Sequence, residues 1–245
     1  RKLYDFPLMM NGGALRGWAV TDEGDKEAIL SALARLRDAQ GDHPLLFAVG
    51  DGNHSLATAK ACWESMKLVL TPEEQVNHPC RFALCEIENI HDDALTFEPI
   101  HRVVTGVNPA EVMQDWTLYC HERCMDLSEV TAQGGCEHVM HVIYNGCEAV
   151  AAVTNPDGNM PADTLQRYLD DYLRRHPEAH IDYIHGEDVV RSLCQQSDAI
   201  GFLLPAMEKS QLFRGVIADG ILPRKTFSMG HSREKRYYLE GRKIK

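Results

Sequence analysis

The sequence predicts an α/β fold, with an α+β arrangement as the alternative, in which helices cover a mixed sheet. Short apolar runs bounded by Gly, Pro or polar residues alternate with longer segments of helical periodicity along the 245 residues. No internal repeat, low-complexity tract or coiled-coil heptad interrupts this alternation. The stretch at residues 106–109, which contains Gly and Pro, predicts a boundary between two lobes, residues 1–106 and residues 107–245.

The first lobe is predicted to begin with two helices around a strand. A helix capped by Asp25 spans residues 25–39 and directs three apolar side chains inward, namely Ile29, Leu33 and Leu36. The apolar residues 45–49 predict a buried strand. A helix at residues 55–67 follows, and its apolar face is formed by Leu56, Ala59, Trp63 and Met66. Two further strands are predicted at residues 81–87 and 97–105.

The second lobe is predicted to alternate in the same way. After a helix at residues 111–119, Asn145-Gly146 predicts a hairpin between strands 139–144 and 148–154, because this dipeptide suits a type I′ turn. Pro161 opens a helix whose apolar stripe is formed by Leu165, Tyr168, Leu169, Tyr172 and Leu173. The remaining predicted elements are strand 181–184, helix 187–196, strand 199–204 and helix 207–219.

One strand–turn–helix segment predicts a binding site. Its turn contains two glycines around an acid, in the run Gly50-Asp51-Gly52-Asn53-His54-Ser55. Unpaired amides and the positive end of a helix dipole would meet there, where a phosphate or carboxylate is stabilised. The run lacks the Gly-Lys-Ser/Thr of a phosphate-binding loop and the third glycine of a dinucleotide fingerprint. The alternative is a plain turn in which Asn53 or Ser55 caps the helix.

Cysteine and histidine residues cluster near the middle of the chain, at Cys120, His121, Cys124, Cys136 and His138. Zinc accepts thiolate and imidazole ligands, but the spacing matches no standard structural site. We therefore expect incidental clustering, with most of the 8 cysteines buried as small apolar side chains in a reducing compartment.

Composition and charge exclude several functional classes. The net charge of -11 argues against a sequence-independent nucleic-acid surface, which needs clustered Lys and Arg. Residues 224–245 are locally basic, and we expect a solvated terminal hairpin there. No stretch approaches the roughly 18 apolar residues that span a bilayer, and no secretory signal opens the chain, so a cytoplasmic protein is expected. Because the chain starts at Arg1 in mid-pattern, we expect a fragment that lacks its N-terminal part.

Three separated segments carry a resemblance to a known family. They are the turn described above, the segment Phe97-Glu98-Pro99-Ile100-His101-Arg102-Val103-Val104, and the segment Leu222-Pro223-Arg224-Lys225-Thr226-Phe227. In order and spacing they resemble, over essentially the whole chain, the bacterial and archaeal family known as domain of unknown function 1015 (DUF1015). That family has no settled activity.

The turn of that family in turn resembles the nucleotide-binding turn of the ParB and sulfiredoxin superfamily, which includes a free-serine kinase. Members hold nucleotide phosphates with this turn and the following helix, usually with an Arg at its end. Here Ser55 stands at that position, and Asn53 stands where the family has a His. This departure removes a bidentate phosphate donor, so either His101, Arg102 or Lys225 substitutes for it, or the ligand differs.

The resemblance implies a small-molecule phosphotransferase of the kinase type that uses ATP or ADP and Mg²⁺. Phosphate would be held by Gly50, Gly52, Asn53 and Ser55, and charge neutralised by Arg102 and Lys225. Asp51 would be general base or magnesium ligand, with His54 and His101 as further catalytic candidates. A non-catalytic sensor of a nucleotide or other metabolite is the first alternative. An interaction protein without a ligand, in which Asp51 and His54 only form the turn, is the second.

Overall fold

The computed structural model describes residues 1–42, 44–50, 52–128, 137–220, 222–230 and 240–244. The chain divides into two units. The first unit contains residues 1–90 and the described C-terminal residues 240–244, and the second unit contains residues 91–230. The lobe boundary expected at residue 106 differs from this division, because the strand at 97–105 pairs with strands later in the chain.

The described residues of the first unit form a hairpin, three α-helices and two 3-10 turns, Lys67–Val69 and Pro79–Arg81. Strands β1 (Lys2–Pro7) and β2 (Ala14–Trp18) pair antiparallel. Helices α1 (Glu23–Asp38), α2 (Asn53–Met66) and α3 (Pro72–Asn77) follow. The helix predicted at residues 25–39 is thus confirmed as α1, and the one predicted at residues 55–67 as α2.

The start of α1 lies two residues before the predicted one. Asp22, not Asp25, is the N-cap residue, and its side chain accepts a hydrogen bond of 3.1 Å from the Asp25 backbone amide. Both aspartates have cap chemistry, and the sequence pattern does not distinguish them. Helix α3 starts with a capping box, in which Thr71 and Glu74 each accept a bond from the other's backbone amide.

The inward face predicted for α1 is wrong. The side chains of Ile29 and Leu36 are 50% and 58% exposed, and none of the first unit's described residues is buried. The strands predicted at residues 45–49 and 81–87 are also absent from the described part of the chain. An apolar run forms a strand only when another strand pairs with it, and no described strand does so here.

The second unit is built on a seven-stranded sheet in which every described pairing is antiparallel. The strand order is β4-β6-β5-β8-β3-β7, and β9 pairs with the start of β3. The strands are β3 (Phe97–Thr105), β4 (Asp126–Ser128), β5 (Glu137–Tyr144), β6 (Cys147–Thr154), β7 (His180–His185), β8 (Ala199–Leu203) and β9 (Phe227–Met229). The helices are α4 (Pro109–Glu122), α5 (Pro161–Arg175), α6 (Glu187–Leu193) and α7 (Lys209–Asp219).

The predicted hairpin is confirmed as β5 and β6. Asn145 and Gly146 both have positive φ, 51° and 71°, as a type I′ turn requires. The predicted combination of helices and strands is likewise confirmed. The sheet was predicted to be mixed, but every described pairing in it is antiparallel.

The core of the second unit lies between the sheet and helices α4 and α5. Trp116 is fully buried, and its ring centroid lies 5.4 Å from that of Tyr168 and 5.6 Å from that of Phe202. The Tyr168 hydroxyl donates a hydrogen bond of 2.8 Å to the Val112 carbonyl. The stripe predicted on α5 is confirmed, since four of its members are buried: Leu165, Tyr168, Leu169 and Tyr172.

The structure bears on the expectations about cysteine burial and membrane-spanning segments. Among the described cysteines, Cys120 and Cys194 alone are buried, so the expectation that most thiols are buried is wrong. Among the described residues, no helix is both long enough and apolar enough to cross a membrane.

Candidate functional site

The turn predicted as a phosphate site starts helix α2. Gly52 is the N-cap residue, with φ 76° and ψ 17°, a left-handed conformation that glycine adopts without strain. Asn53, His54 and Ser55 form the first turn of the helix and are exposed. Asp51, the predicted base and metal ligand, lies outside the described residues, while Gly50 is described and exposed.

The alternative in which Asn53 or Ser55 caps this helix is wrong. The helix begins at Asn53, its cap residue Gly52 has no side chain, and no side-chain hydrogen bond from a described residue caps it. An uncapped helix start leaves amide donors and the positive end of the dipole for an external acceptor. The left-handed cap position at Gly52 fits both a plain turn and the predicted anion site.

A cleft of about 480 Å³ lies beside this helix start. One wall is a face of α2, on which Asn53, Leu56, Lys60 and Trp63 follow one another at intervals of three or four residues. The apolar face predicted for this helix thus lines the cleft, through Leu56 and Trp63, and does not enter a buried core.

The opposite wall comes from residues 80–83. The guanidinium of Arg81 lies 5.5 Å from the centroid of the Phe82 ring and donates a hydrogen bond of 2.7 Å to the Val76 carbonyl. Trp63 stacks on His78 with ring centroids 5.9 Å apart. The Nδ1 atom of His78 accepts a hydrogen bond of 3.2 Å from the Cys80 amide, so the two walls are connected.

Sequence reasoning missed four residues of this cleft: Lys60, Trp63, Arg81 and Phe82. The sequence could have indicated Lys60, because it lies seven residues after Asn53 and hence on the same face of the predicted helix. For Arg81 and Phe82 the sequence has no signal, since their place in the cleft depends on tertiary packing.

The other predicted ligand residues lie in the second unit, and Arg102 is the most buried of them. It lies on β3 and is 0% exposed. Its Nε donates a hydrogen bond of 3.0 Å to Gln166 Oε1, and its Nη2 donates one of 3.1 Å to the Arg224 carbonyl. Burial lowers the pKa of Arg102 to about 10. These contacts favour a structural role, because a ligand does not reach a side chain enclosed in this way.

A network around Arg102 holds the chain segment at Arg224. The Tyr183 ring lies 4.5 Å from the Arg102 guanidinium and 5.9 Å from that of Arg224. Asp170 accepts hydrogen bonds from Gln166, at 2.8 Å, and from the Arg224 guanidinium. This network anchors residues 223–226 to β3, β7 and α5.

His101 is buried beside Arg102. Its Nδ1 accepts a hydrogen bond of 3.1 Å from the Leu204 amide, which requires the ring to carry its proton on Nε2. Burial is the main cause that lowers the pKa of His101 below the ordinary value of 6.5. This imidazole therefore supports the backbone as a neutral acceptor.

Lys225 is the exposed member of the predicted set in the second unit. Its φ is 56°, unusual for a residue with a side chain. The turn is closed by the Thr226 hydroxyl, which donates a hydrogen bond of 2.6 Å to the Pro223 carbonyl. Within the described residues, Lys225 has no hydrogen bond or ion pair, so its ammonium group is accessible to an anion.

The described residues contain no group of three His, Cys, Asp or Glu side chains that could hold a metal ion. Burial raises the pKa of Cys120 to about 12, which disfavours a zinc-binding thiolate, and Cys136 lies outside the described residues.

Comparisons with known proteins place the chain in a family without assigning an activity. No curated protein matches the sequence. Among solved structures, a point mutant of a free serine kinase in complex with AMP is similar, with 14% sequence identity and a TM-score of 0.46. The similarity covers 71% of this chain and 80% of that one. Residues 1–172 match the family described as "Protein of unknown function (DUF1015)", and the chain belongs to that family.

Proposed function

We propose that this protein binds a nucleotide or another phosphorylated small molecule in the cleft beside the start of α2. One observation carries the proposal. Asn53, the first residue of a helix without a side-chain cap, lines a cleft that is also lined by the ammonium-bearing Lys60 and by aromatic residues.

The phosphate would bind at the start of α2. Amide donors there and the helix dipole favour an anion. Lys60 lies two turns further along, about 10 Å along the helix axis. Helical side chains point back toward the N-terminus, so the Lys60 ammonium is directed toward the phosphate end of the cleft.

The ring of the ligand would bind between Trp63 and Phe82. Planar aromatic side chains stack on nucleobases by about 1–3 kcal/mol per base. The cleft volume of about 480 Å³ is within the range of small-molecule sites. Phosphate donors at one end and aromatic residues at the other fit a nucleotide better than a bare phosphate.

Two glycines of the first unit provide a matched test. Gly52 and Gly41 have φ of 76° and 83°, and a methyl group added to either meets no atom within 4 Å. Ala at either position costs about 1–2 kcal/mol of backbone strain. Gly52→Ala reorients the first amides of α2, and we expect it to abolish the rise in melting temperature with ADP, ATP or pyrophosphate. Gly41→Ala should retain that rise.

An equal ligand response in both variants would place the ligand elsewhere and contradict the proposal. Absence of a response in the parent protein would do so as well.

We further propose that the protein transfers a phosphoryl group to a small hydroxyl compound, with Asp51 as the general base. ATP would supply the phosphoryl group, and magnesium chemistry would depend on Asp51, since the described residues offer no metal cluster. His54 is exposed and remains a candidate for a contact with the reacting groups. Lys225, in the second unit, remains only a candidate anion contact of that unit. His101 and Arg102 are proposed only to support the backbone around them.

Asp51→Asn separates an enzyme from a sensor. The amide keeps the size of the side chain but does not accept a proton, so we expect nucleotide binding without metal to persist and turnover to fall about 100-fold or more. The measurement is phosphoryl transfer to a panel of hydroxyl compounds. If parent and variant bind nucleotide and neither shows turnover, the alternative of a metabolite sensor is favoured.

A further inference from the structure

The C-terminal segment, residues 240–244, lies against the cleft wall that contains Phe82. Arg242 Nη1 donates hydrogen bonds to the carbonyls of Pro79 and Phe82, at 2.8 and 2.7 Å. The same guanidinium lies 5.3 Å from the centroid of the Phe82 ring. Cys80 Sγ donates a bond of 3.1 Å to the Ile244 carbonyl. The C-terminal segment thus contacts Pro79, Cys80 and Phe82.

The other described contacts of this wall are local: Arg81 donates a hydrogen bond to the Val76 carbonyl and lies over the Phe82 ring, and His78 Nδ1 accepts one from the Cys80 amide. Pro79–Arg81 form a single 3-10 turn, and Phe82 is 47% exposed. Without buried side chains, a short turn of this kind is not fixed by packing. Arg242 Nη1 binds the carbonyls of Pro79 and Phe82, at the two ends of the turn, and so fixes the backbone of the turn. The guanidinium also lies over the Phe82 ring and restrains it.

We propose that Arg242 is a positioning residue that fixes the Phe82 wall of the cleft and thereby gives the site its preference for ligands that carry a ring. The inference rests on the proposed function, because it assigns the aromatic end of the same cleft. It adds that the preference for ligands with a ring depends on Arg242, which lies 160 residues after Phe82 in the chain.

The two ends of the cleft can be tested separately. Asn53 and Lys60, which would hold the phosphate, have no described hydrogen bond to Arg242 or to residues 79–82. Loss of the Arg242 contacts should therefore weaken binding of a nucleoside phosphate and leave binding of inorganic pyrophosphate unchanged.

The experiment compares Arg242→Gln with Lys243→Gln, the same change of charge at the next residue. Binding of ADP and pyrophosphate to the full chain is measured by calorimetry. We expect Arg242→Gln to weaken ADP binding about tenfold, as the loss of charged hydrogen bonds implies, and to change pyrophosphate binding less than about twofold. Lys243→Gln should bind both ligands as the parent does. Arg242→Lys should restore part of the ADP affinity, since an ammonium can donate to both carbonyls.

A second readout tests the contact without any ligand. The Cys80 thiol is held by the C-terminal segment, whereas Cys62 on α2 is exposed and independent of it. Alkylation of Cys80 should become at least about threefold faster in Arg242→Gln, with Cys62 unchanged.

Three results would overturn the inference. In the first, Cys80 reacts at the parent rate and ADP binds normally. In the second, Arg242→Gln weakens ADP and pyrophosphate equally, which indicates general loss of structure. In the third, faster Cys80 alkylation occurs with unchanged ADP affinity, which makes the contact structural only. If the parent binds neither ligand, the proposed function fails, and this inference fails with it.

Discussion

At the scale of single residues, burial decides which polar side chains support the fold. Arg102 is fully buried, and Gln166 Oε1, backbone carbonyls and the face of Tyr183 are its described partners. Burial of an unpaired cation destabilises the folded state. These partners reduce the destabilisation because they supply hydrogen-bond acceptors. The family resemblance indicated Arg102 as a phosphate contact, but burial is invisible in a motif. The exposed residues of the α2 turn remain the proposed phosphate contacts.

Two buried histidines predict a loss of stability in mild acid. His101 Nδ1 accepts a bond from the Leu204 amide, and His138 Nδ1 contacts the Thr164 hydroxyl at 2.9 Å. Burial lowers the pKa of both below 6.5. The unfolded chain therefore binds protons first as pH falls. The contribution of each histidine to the free energy of unfolding should be fully present above pH 6.5 and be lost below it. The loss amounts to about 1.4 kcal/mol for each unit by which folding lowers that histidine's pKa.

Urea unfolding between pH 7.5 and 5 measures this dependence. His101→Gln keeps an acceptor for the Leu204 amide without a titrating ring, so its stability should depend less steeply on pH than that of the parent. A parent whose unfolding free energy is constant over this interval would refute the assignment of neutral buried imidazoles.

At the scale of elements, the sequence predicts turns and helices that depend on neighbouring residues, but it does not predict which strands pair in the sheet. Asn145-Gly146 predicts its hairpin because both residues adopt positive φ readily, and the apolar stripe predicts α5 because its period is that of a helix. The strand prediction at residues 81–87 failed because an apolar run does not specify its partner strand.

The same distinction applies to the candidate site. The glycine turn before α2 was identified from its residues, since a left-handed N-cap favours glycine. Phe82 and Arg242 were not identified, because 160 residues separate them in the chain and only folding brings them together.

Gly146→Ala tests the hairpin turn. A methyl group at Gly146 meets no atom within 4 Å, so its cost arises from the positive φ alone. We expect a loss of about 1 kcal/mol in the free energy of unfolding. Gly241→Ala is the control, because its added methyl group also meets no atom and its φ lies outside the left-handed range. Equal stability of the two variants would show that the turn is not held in the type I′ conformation.

At the scale of the whole molecule, the two units are stabilised to different degrees. All the buried apolar residues in the described part of the chain belong to the second unit. The first unit has helices, caps and surface ion pairs, and surface ion pairs contribute little to stability. Its helices should therefore open at lower free energy than the sheet of the second unit.

Amide hydrogen exchange measures this difference directly. In the free protein we expect the slowest exchange in the central strands β3, β5 and β8, and exchange at least about 100-fold faster in α2, because local opening of an exposed helix costs much less than global unfolding. If ADP binds at the start of α2, its addition should slow exchange in α2 and at residues 79–82, while rates in β5 and β8 stay the same. Protection confined to the sheet would place the ligand in the second unit. An α2 that exchanges as slowly as β3 in the free protein would show that the first unit is held by more than its described contacts.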